Sequence, residues 1–141
     1  MNGIDSNTII IIVVAVLALA VVSAGSFWAR RRPNKLNQEY YQRRWQTLQK
    51  YLSNKDSWPL AVIDADKLLD DALRRCRYKG KTMGERLVAA QRDIKDNDGV
   101  WYGHKLRNRL VHETDVKLSE RDVKEALLGI RAALKDLGAL K

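Results

Sequence analysis

The two histidines of the chain, His104 and His112, both lie in the ten-residue segment HKLRNRLVHE. Arg107, Asn108 and Arg109 lie between them. An arginine can grip a phosphate through two parallel hydrogen bonds, and an imidazole titrates near neutrality and can therefore move protons. The segment thus holds residue types that suit phosphate chemistry, although exposed helices often carry the same types without any chemical role.

On a helix with 3.6 residues per turn, this segment divides into two faces. Leu106 and Leu110, together with Gly103, are expected to face the core. The opposite, outward arc of about 140° holds four polar residues: His104, Arg107, Asn108 and His112. The spacing therefore predicts either a solvated helix face or a small accessible site.

The six residues Arg107-Asn108-Arg109-Leu110-Val111-His112 resemble the R-x4-6-H signature of HEPN (higher eukaryotes and prokaryotes nucleotide-binding) domains. In that family the signature lies near the end of a late helix of an all-α bundle, commonly with a polar residue directly after the arginine. The resemblance covers roughly residues 57–141. It implies a metal-independent endoribonuclease whose site forms where the motifs of two subunits meet, so that the chain is expected to be a homodimer.

The resemblance also implies a role for each residue of the site. His112 would be the general base for the RNA 2′-hydroxyl or the acid for the leaving 5′-oxygen. Arg107 would stabilise charge on the phosphorane-like transition state, and Asn108 would orient His112 or the phosphate. His104 and Arg109 would support these three, and the products would be a 2′,3′-cyclic phosphate and a 5′-hydroxyl.

A function without catalysis is the alternative, because some members of that family have lost activity. The chain would then be a membrane-anchored helical module that binds a protein or nucleotide partner at the cytoplasmic face. Family toxins that pair with a nucleotidyltransferase antitoxin often have a tyrosine two residues after the motif histidine, where this chain has Thr114. No particular antitoxin is therefore predicted.

No cofactor and no metal are predicted. The two histidines and the single Cys76 show neither HExxH nor CxxC spacing, which are typical of zinc sites. Cys76 lies on an apolar helical stripe and is expected to pack in the core, so that it is not a candidate nucleophile. The cluster Asp64/Asp66/Asp70/Asp71 could assist a site, but a solvated helix face is the expected location of these carboxylates.

An uncharged run of 21 residues, 8–28, precedes all of these features. About 20 apolar residues span a hydrocarbon core of roughly 30 Å, so that the run predicts a transmembrane helix over 8–29. The rival interpretation, a cleaved signal peptide, requires positive charge in residues 1–7, which contain no Lys or Arg. Positive charge follows the run instead and predicts a single-pass protein of the cell (inner) membrane, with its N-terminus outside and its C-terminal domain in the cytoplasm.

The net charge of +9 is concentrated after this run. Residues 30–50 hold seven Lys or Arg residues against one Glu. Such a segment fixes the orientation in the membrane and is attracted to anionic headgroups, and we favour this role over nucleic-acid binding for residues 30–50.

Helical periodicity covers the rest of the chain, and no strand or hairpin pattern appears. Helix starts are predicted at Ser57 with Pro59, at Thr82, and at Ser119 with Asp122. The fold class is therefore all-α, with a single N-terminal transmembrane helix and a small cytoplasmic bundle of four to five helices. The predicted helices of this bundle cover about residues 35–53, 57–76, 82–94, 100–112 and 119–137.

Four parts make up the predicted domain organisation. A short extracytoplasmic tail, 1–7, precedes the transmembrane helix, 8–29. A basic juxtamembrane segment with the first soluble helix, 30–56, leads to the HEPN-like bundle, 57–141.

Overall fold

The structure, a computed structural model, describes residues 5–29 and 36–141; in the first of these ranges, side chains are described for residue 5 and for 8–23. These residues form six α-helices and two short 3₁₀ turns, and they contain no strand. The predicted all-α fold is thus confirmed for the described part of the chain. The helices are α1 Ser6–Ala29, α2 Gln38–Gln49, α3 Trp58–Arg75, α4 Met83–Ala90, α5 Asn97–His112 and α6 Glu120–Asp136.

The chain divides into two compact units, Met1–Arg32 and Pro33–Lys141. The first unit contains α1, and the side chains of residues 8–23 on this helix are exposed on every side. None of the helices, over the residues that the structure describes, combines the length and the hydropathy of a membrane span. A helix is therefore present where one was predicted, whereas its membrane location stays a prediction. The basic residues of 30–35, which carry the predicted orientation, lie outside the described residues.

The second unit is a helical bundle in which α3 packs against α2, α4, α5 and α6. The closest neighbours in this bundle are α5 and α6. Complete burial of each large apolar side chain contributes about 1.5–3 kcal/mol, so this core is the main source of stability. The largest fully buried side chains are Tyr41, Leu69, Leu73, Leu87, Ile130, Leu134, Val62 and Val100.

Helix α2 is shorter than predicted. It begins after Asn37, whose side chain accepts a hydrogen bond from the backbone N–H of Tyr40 at 3.1 Å. After Gln49 the chain tightens into a 3₁₀ turn, Lys50–Ser53. The tighter winding changes the angular position of each residue, so that Leu52 is exposed although it continues the buried stripe of Tyr41, Trp45 and Leu48.

Helix α3 begins where Ser57 and Pro59 predicted it and ends before Cys76, which is half-buried against the core. Two acid–base pairs with a spacing of four residues lie on this helix: Asp70 with Arg74 at 2.9 Å and Asp71 with Arg75 at 2.8 Å. Helix α4 is capped by Thr82 as predicted but ends at Ala90, before Ile94.

Helix α6 begins at the predicted capping box. The Ser119 hydroxyl accepts from the backbone N–H of Asp122, and the Asp122 carboxylate accepts from the backbone N–H of Ser119. Helices α5 and α6 cross at Gly99 and Gly129. Their backbones are so close there that a Cβ on Gly129 would overlap the backbone of Gly99. Two glycines thus allow the backbones of these helices to meet.

Candidate functional site

Helix α5 turns the three residues that were predicted to face the core inward, and it turns His104 inward as well. Gly103 and Leu106 are buried, and Leu110 is half-buried against the core. His104 was predicted to face outward, and this prediction is wrong: the side chain is buried. The physical reason is that α5 packs against both α3 and α6, so that its buried arc is wider than a leucine stripe and extends to His104.

The imidazole of His104 contacts α3 at Asp66, which is 2% exposed. Nδ1 of His104 lies 2.9 Å from Oδ1 of Asp66. The indole of Trp101 packs edge-to-face on the same imidazole, with 5.8 Å between ring centroids. The prediction that Asp66 lies on a solvated face of α3 is therefore wrong.

Arg107 and Asn108 complete a closed set of contacts with this pair. Nδ2 of Asn108 lies 3.3 Å from Nε2 of His104, and Nη1 of Arg107 donates to Oδ1 of Asn108 at 3.0 Å. Nε of Arg107 lies 3.4 Å from Oδ2 of Asp66, an ion-pair distance without hydrogen-bond geometry. We refer to Asp66, His104, Asn108 and Arg107 as the polar ring.

The donors and acceptors of the polar ring follow from the chemistry of Arg107. A guanidinium can only donate, so that Asn108 must present its oxygen to Arg107 and its NH₂ group to His104. Nε2 of His104 is then an acceptor, and the proton of a neutral imidazole is on Nδ1. That proton is donated to the Asp66 carboxylate, which accepts on one oxygen from His104 and faces Arg107 with the other.

Two opposite effects act on the Asp66 carboxyl. Burial raises its pKa above the ordinary value, whereas the hydrogen bond from His104 and the positive charge of Arg107 act in the other direction. Removing a charge from water is costly unless the charge is paired and hydrogen-bonded. The contacts of the polar ring are therefore what allows a carboxylate at this depth.

The polar ring forms one wall of an open cleft of about 470 Å³ between α3, α4 and α5. The ionised side chains that line it are five Lys or Arg residues against two Asp residues. Such an excess of positive charge favours an anionic ligand. The lining residues are Asp66, Lys67, Asp70, Arg74, Lys81, Thr82, Met83, Gly84, Arg86, His104, Arg107 and Asn108.

Arg86 is the most deeply buried of the cleft cations, with 5% of its surface exposed. Its Nε and Nη2 atoms lie 2.8 and 2.6 Å from Oδ1 of Asp70, and its Nη1 donates to the carbonyl oxygen of Gly80 at 2.7 Å. Asp70 also accepts from Arg74 at 2.9 Å. Arg86 is thus fully engaged in joining α3, α4 and the preceding turn, so that it is part of the wall and is not an available ligand group.

Arg107 differs from Arg86 in having an unengaged nitrogen. Its Nη1 and Nε atoms face Asn108 and Asp66, whereas Nη2 makes no hydrogen bond with any residue in 5–29 or 36–141. The side chain is about one quarter exposed, at 27%, and lines the cleft. A phosphate oxygen in the cleft can therefore reach a guanidinium that is already held in place.

The other two predicted site residues lie apart from this cleft. His112 is the last residue of α5 and is exposed, and Arg109 is exposed and faces Glu113 at 3.4 Å. Within one chain the structure thus brings His104, Arg107 and Asn108 together and leaves His112 and Arg109 outside. Five positions along a helix turn the direction of a side chain by about 140°, which separates His112 from Arg107.

Sequence reasoning did not distinguish Asp66 from the other carboxylates of α3, although a signal of its burial was present. Val62, Asp66, Leu69 and Leu73 follow one another at steps of four, three and four residues, which is the spacing of a single helical face. The three apolar members of this set are completely buried. A carboxylate in the middle of such a stripe requires a buried partner, and the only two histidines of the chain lie on another helix.

The described residues hold no group of three or more His, Cys, Asp or Glu side chains that could bind a metal ion. Asp66 and His104 are in contact, and their facing atoms are already joined by a hydrogen bond. The side chains of the cleft are better suited to hold an anion than a cation.

No family model, curated protein or solved structure matches the chain. Membership of the HEPN family, which the resemblance of residues 107–112 to its signature suggests, therefore stays a prediction. A function for this chain has to be argued from its own residues.

Proposed function

We propose that the chain is a membrane-anchored, HEPN-like endoribonuclease that needs no metal ion and is active as a homodimer. The observation that carries the proposal is the position of Arg107. Two other residues, Asn108 and Asp66, hold its guanidinium in place. Its Nη2 atom makes no hydrogen bond within the described residues, and its side chain borders a cationic cleft. A fixed guanidinium with a free nitrogen stabilises developing negative charge without rearranging during the reaction.

In the proposed reaction, the RNA 2′-hydroxyl attacks the adjacent phosphorus and loses its proton, and the 5′-oxygen leaves and gains one. Arg107 binds the phosphate oxygens, and Asn108 holds Arg107. Removing a donor of this kind lowers the rate by about 10²–10³-fold in enzymes with comparable charge stabilisation. The products are a 2′,3′-cyclic phosphate and a 5′-hydroxyl, so that no water is consumed.

His112 supplies the proton transfer in this proposal, and its location explains why two subunits are required. It is exposed at the end of α5 and does not line the cleft of its own chain. A second copy related by a two-fold axis can bring its His112 to the first copy's Arg107, and the reverse holds for the other site. A positioned general acid or base contributes about 10²–10⁴-fold to the rate.

The first unit supports the proposed membrane anchor. Helix α1 presents the side chains of residues 8–23 to the surroundings on every side, and none of them is charged. A helix that is apolar on every face needs an apolar environment all round. The full uncharged run, 8–28, continues beyond the residues whose side chains are described, and the basic residues 30–35 follow it.

The catalytic proposal is tested with the purified full chain in detergent micelles, incubated with 5′-labelled RNA in the presence of EDTA. We expect cleavage by the wild type and loss of cleavage in both Arg107→Ala and His112→Ala. Lys105→Ala is the matched control, since Lys105 is an exposed residue of the same helix outside the cleft. Absence of cleavage by a wild type that is shown to be dimeric would exclude the enzyme.

The composite site has its own test, in which the Arg107→Ala and His112→Ala proteins are mixed and allowed to exchange subunits. Random pairing makes half of the dimers mixed, and each mixed dimer has one of its two sites intact. We therefore expect recovery of about a quarter of the wild-type rate. No recovery would mean that Arg107 and His112 act from the same chain.

The membrane location is tested by labelling single cysteines in intact cells with a membrane-impermeant maleimide. In a Cys76→Ser background, we expect Asn2→Cys to be labelled in intact cells and Lys141→Cys to be labelled only after lysis. Equal labelling of both positions only after lysis, with the protein in the soluble fraction, would contradict the anchor.

Binding without catalysis is the second candidate function. It is favoured by the fact that the only imidazole in the cleft of a single chain, His104, is buried and hydrogen-bonded. In this case the cleft retains a phosphate-bearing ligand without cleaving it. Retention of labelled RNA by the wild type, loss of retention in Arg107→Ala and no cleavage in any protein would favour this candidate.

A further inference from the structure

The polar ring includes a buried pair, Asp66 and His104, in addition to the residue that accepts a hydrogen bond from Arg107. The one hydrogen bond within the ring that Arg107 donates goes to the side-chain oxygen of Asn108. The buried pair of Asp66 and His104 lies behind Asn108 and reaches Arg107 from the other side through Oδ2 of Asp66. Each member of the ring therefore has two neighbours within the ring, and a change in one donor alters the contacts of the others.

We propose that Asp66 and His104 are positioning residues for Arg107 and that the proton on the His104 ring decides whether Asn108 holds Arg107. With the proton on Nδ1, Nε2 of His104 accepts from the Asn108 NH₂ group, and the Asn108 oxygen faces Arg107. This is the arrangement of the structure.

A proton added to Nε2 of His104 reverses these contacts. Nε2 then becomes a donor and faces the NH₂ group of Asn108 at 3.3 Å, which is a donor as well. The amide turns over to offer its oxygen to His104, and its NH₂ group then faces the Arg107 guanidinium, which can only donate. Arg107 loses the contact that orients it and keeps only the longer contact with Asp66 at 3.4 Å.

Several charged groups lie around this imidazole and act on its proton. From α3, Asp66, Lys67, Asp70 and Arg74 border the same cleft. Arg86 borders it from α4, Arg107 from α5, and Lys81 from the turn before α4. Asp70 is paired with Arg86 and Arg74, so that its charge is largely compensated. The carboxylate that faces the ring nitrogen directly is Asp66.

The consequence of this arrangement for RNA cleavage rests on the proposed function, whereas the arrangement itself can be observed without any substrate. The chain has two histidines, one buried and one exposed. The exposed His112 therefore serves as an internal reference in the same sample. Long-range ¹H–¹⁵N correlation spectra of the imidazoles distinguish the tautomers, because protonated and unprotonated ring nitrogens resonate in separate regions.

We expect the wild-type full chain in detergent micelles at neutral pH to show His104 as the Nδ1–H tautomer. In Asn108→Asp, the new carboxylate accepts from both His104 and Arg107, so that Nε2 of His104 carries a proton under the same conditions. In Asp66→Asn, the fixed tautomer of His104 is lost. Asn54→Asp is the matched control, since it adds the same charge in an exposed turn outside the ring, and it leaves the His104 spectrum unchanged.

A wild-type spectrum with His104 as the Nε2–H tautomer, or an unchanged His104 tautomer in Asn108→Asp, would overturn the inference. Backbone ¹H–¹⁵N spectra of each variant identify any that fail to fold, and for such a variant the comparison is made with Asn108→Ser, which removes the NH₂ donor. These outcomes are separate from those of the RNA assay. The expected tautomer without cleavage refutes only the enzyme, and cleavage with the wrong tautomer refutes only the positioning role.

Discussion

Nδ1 of His104 donates to Oδ1 of Asp66 across 2.9 Å, and this single hydrogen bond joins the interior of α5 to that of α3. Both residues are polar, and both lie at positions of their helices that an apolar side chain could fill. A buried polar pair of this kind is weak evidence for stability, because replacing both partners by apolar residues is often neutral. A role in positioning Arg107 explains the Asp66–His104 pair beside a cationic cleft better than a contribution to stability does.

Removing one partner of this pair is expected to destabilise the fold strongly. Asp66→Ala leaves the His104 Nδ1–H and the Arg107 guanidinium facing a buried space without an acceptor. Loss of one member of a buried charged pair costs about 3–5 kcal/mol in the free energy of unfolding. Urea denaturation of the full chain measures this change. The control is Asp64→Ala, whose carboxylate faces Lys67 at 3.8 Å near the surface and whose loss should change the free energy by no more than about 0.5 kcal/mol.

The stability of the fold at acid pH should depend on Asp122. Hydrogen bonds from the Ser119 hydroxyl and backbone N–H, followed by one from the Tyr102 hydroxyl, lower the pKa of Asp122 from 3.8 to about 2. A lowered pKa in the folded state means that the carboxylate stabilises the fold above the unfolded pKa and loses this effect as pH falls toward 2. The difference in unfolding free energy between wild type and Asp122→Asn should be constant above about pH 5 and should shrink between about pH 4 and 2.

Tyr102→Phe provides a check on that prediction, because it removes one of the donors to Asp122. In this variant the pKa of Asp122 lies closer to its unfolded value, so that the loss of stability at acid pH should be smaller and should be complete at a higher pH than in the wild type. A difference between wild type and Asp122→Asn that stays constant down to pH 2 would show that the capping box does not act in this way.

The crossing of α5 and α6 should not tolerate a side chain at position 129. A Cβ in Gly129→Ala would overlap the backbone of Gly99, and a backbone atom cannot turn aside as a flexible side chain can. Overpacking typically costs about 1–3 kcal/mol, and we expect a value at or above the upper end. Thermal or urea denaturation measures the loss.

Gly84→Ala is the matched substitution for Gly129→Ala. The added Cβ lies 3.6 Å from the Trp101 ring, an ordinary van der Waals distance. Replacing a helical glycine by alanine stabilises by about 0.5–1 kcal/mol. Equal effects of the two substitutions would indicate that helix propensity, and not the close crossing, determines the result.

The guanidinium of Arg107 should not be replaceable by an ammonium. Lysine keeps the charge but lacks the planar fork that donates to Asn108 and leaves a second nitrogen for the ligand. In the RNA assay we expect Arg107→Lys to lose about 10²–10³-fold in rate, close to the loss in Arg107→Ala. Retention of most of the activity in Arg107→Lys would show that charge alone is sufficient and that the polar ring is not required.

Local signals in the sequence were sufficient to predict most of the helices. Thr82, and Ser119 with Asp122, mark helix starts because a side-chain oxygen there accepts from a backbone N–H a few residues later. Such signals depend only on neighbouring residues. The end of α2 was harder to predict, because the change from an α-helix to a 3₁₀ turn at Lys50 leaves no mark in the apolar spacing.

The site was predicted only in part, for a physical reason. Arg107 and Asn108 were identified from their types and their place on one helix, and both line the cleft. The inward direction of His104 was not predicted, since it depends on a carboxylate 38 residues earlier in the chain. The separation of His112 from Arg107 follows from their five-residue spacing on α5. Which face of α5 borders the cleft depends on how α5 packs against α3, which the sequence of one helix does not determine.

The contact between Gly99 and Gly129 also determines which insertions the chain should accept. Helix α5 is held against α6 at Gly99, eight positions before the arginine of the polar ring. An extra residue between Gly99 and Arg107 would turn Arg107 by about 100° around the helix axis and away from Asp66. An extra residue in the connection 113–119, beyond the end of α5, leaves that orientation unchanged. Length variation among related chains should therefore be found in this connection and not between Gly99 and Arg107 of α5.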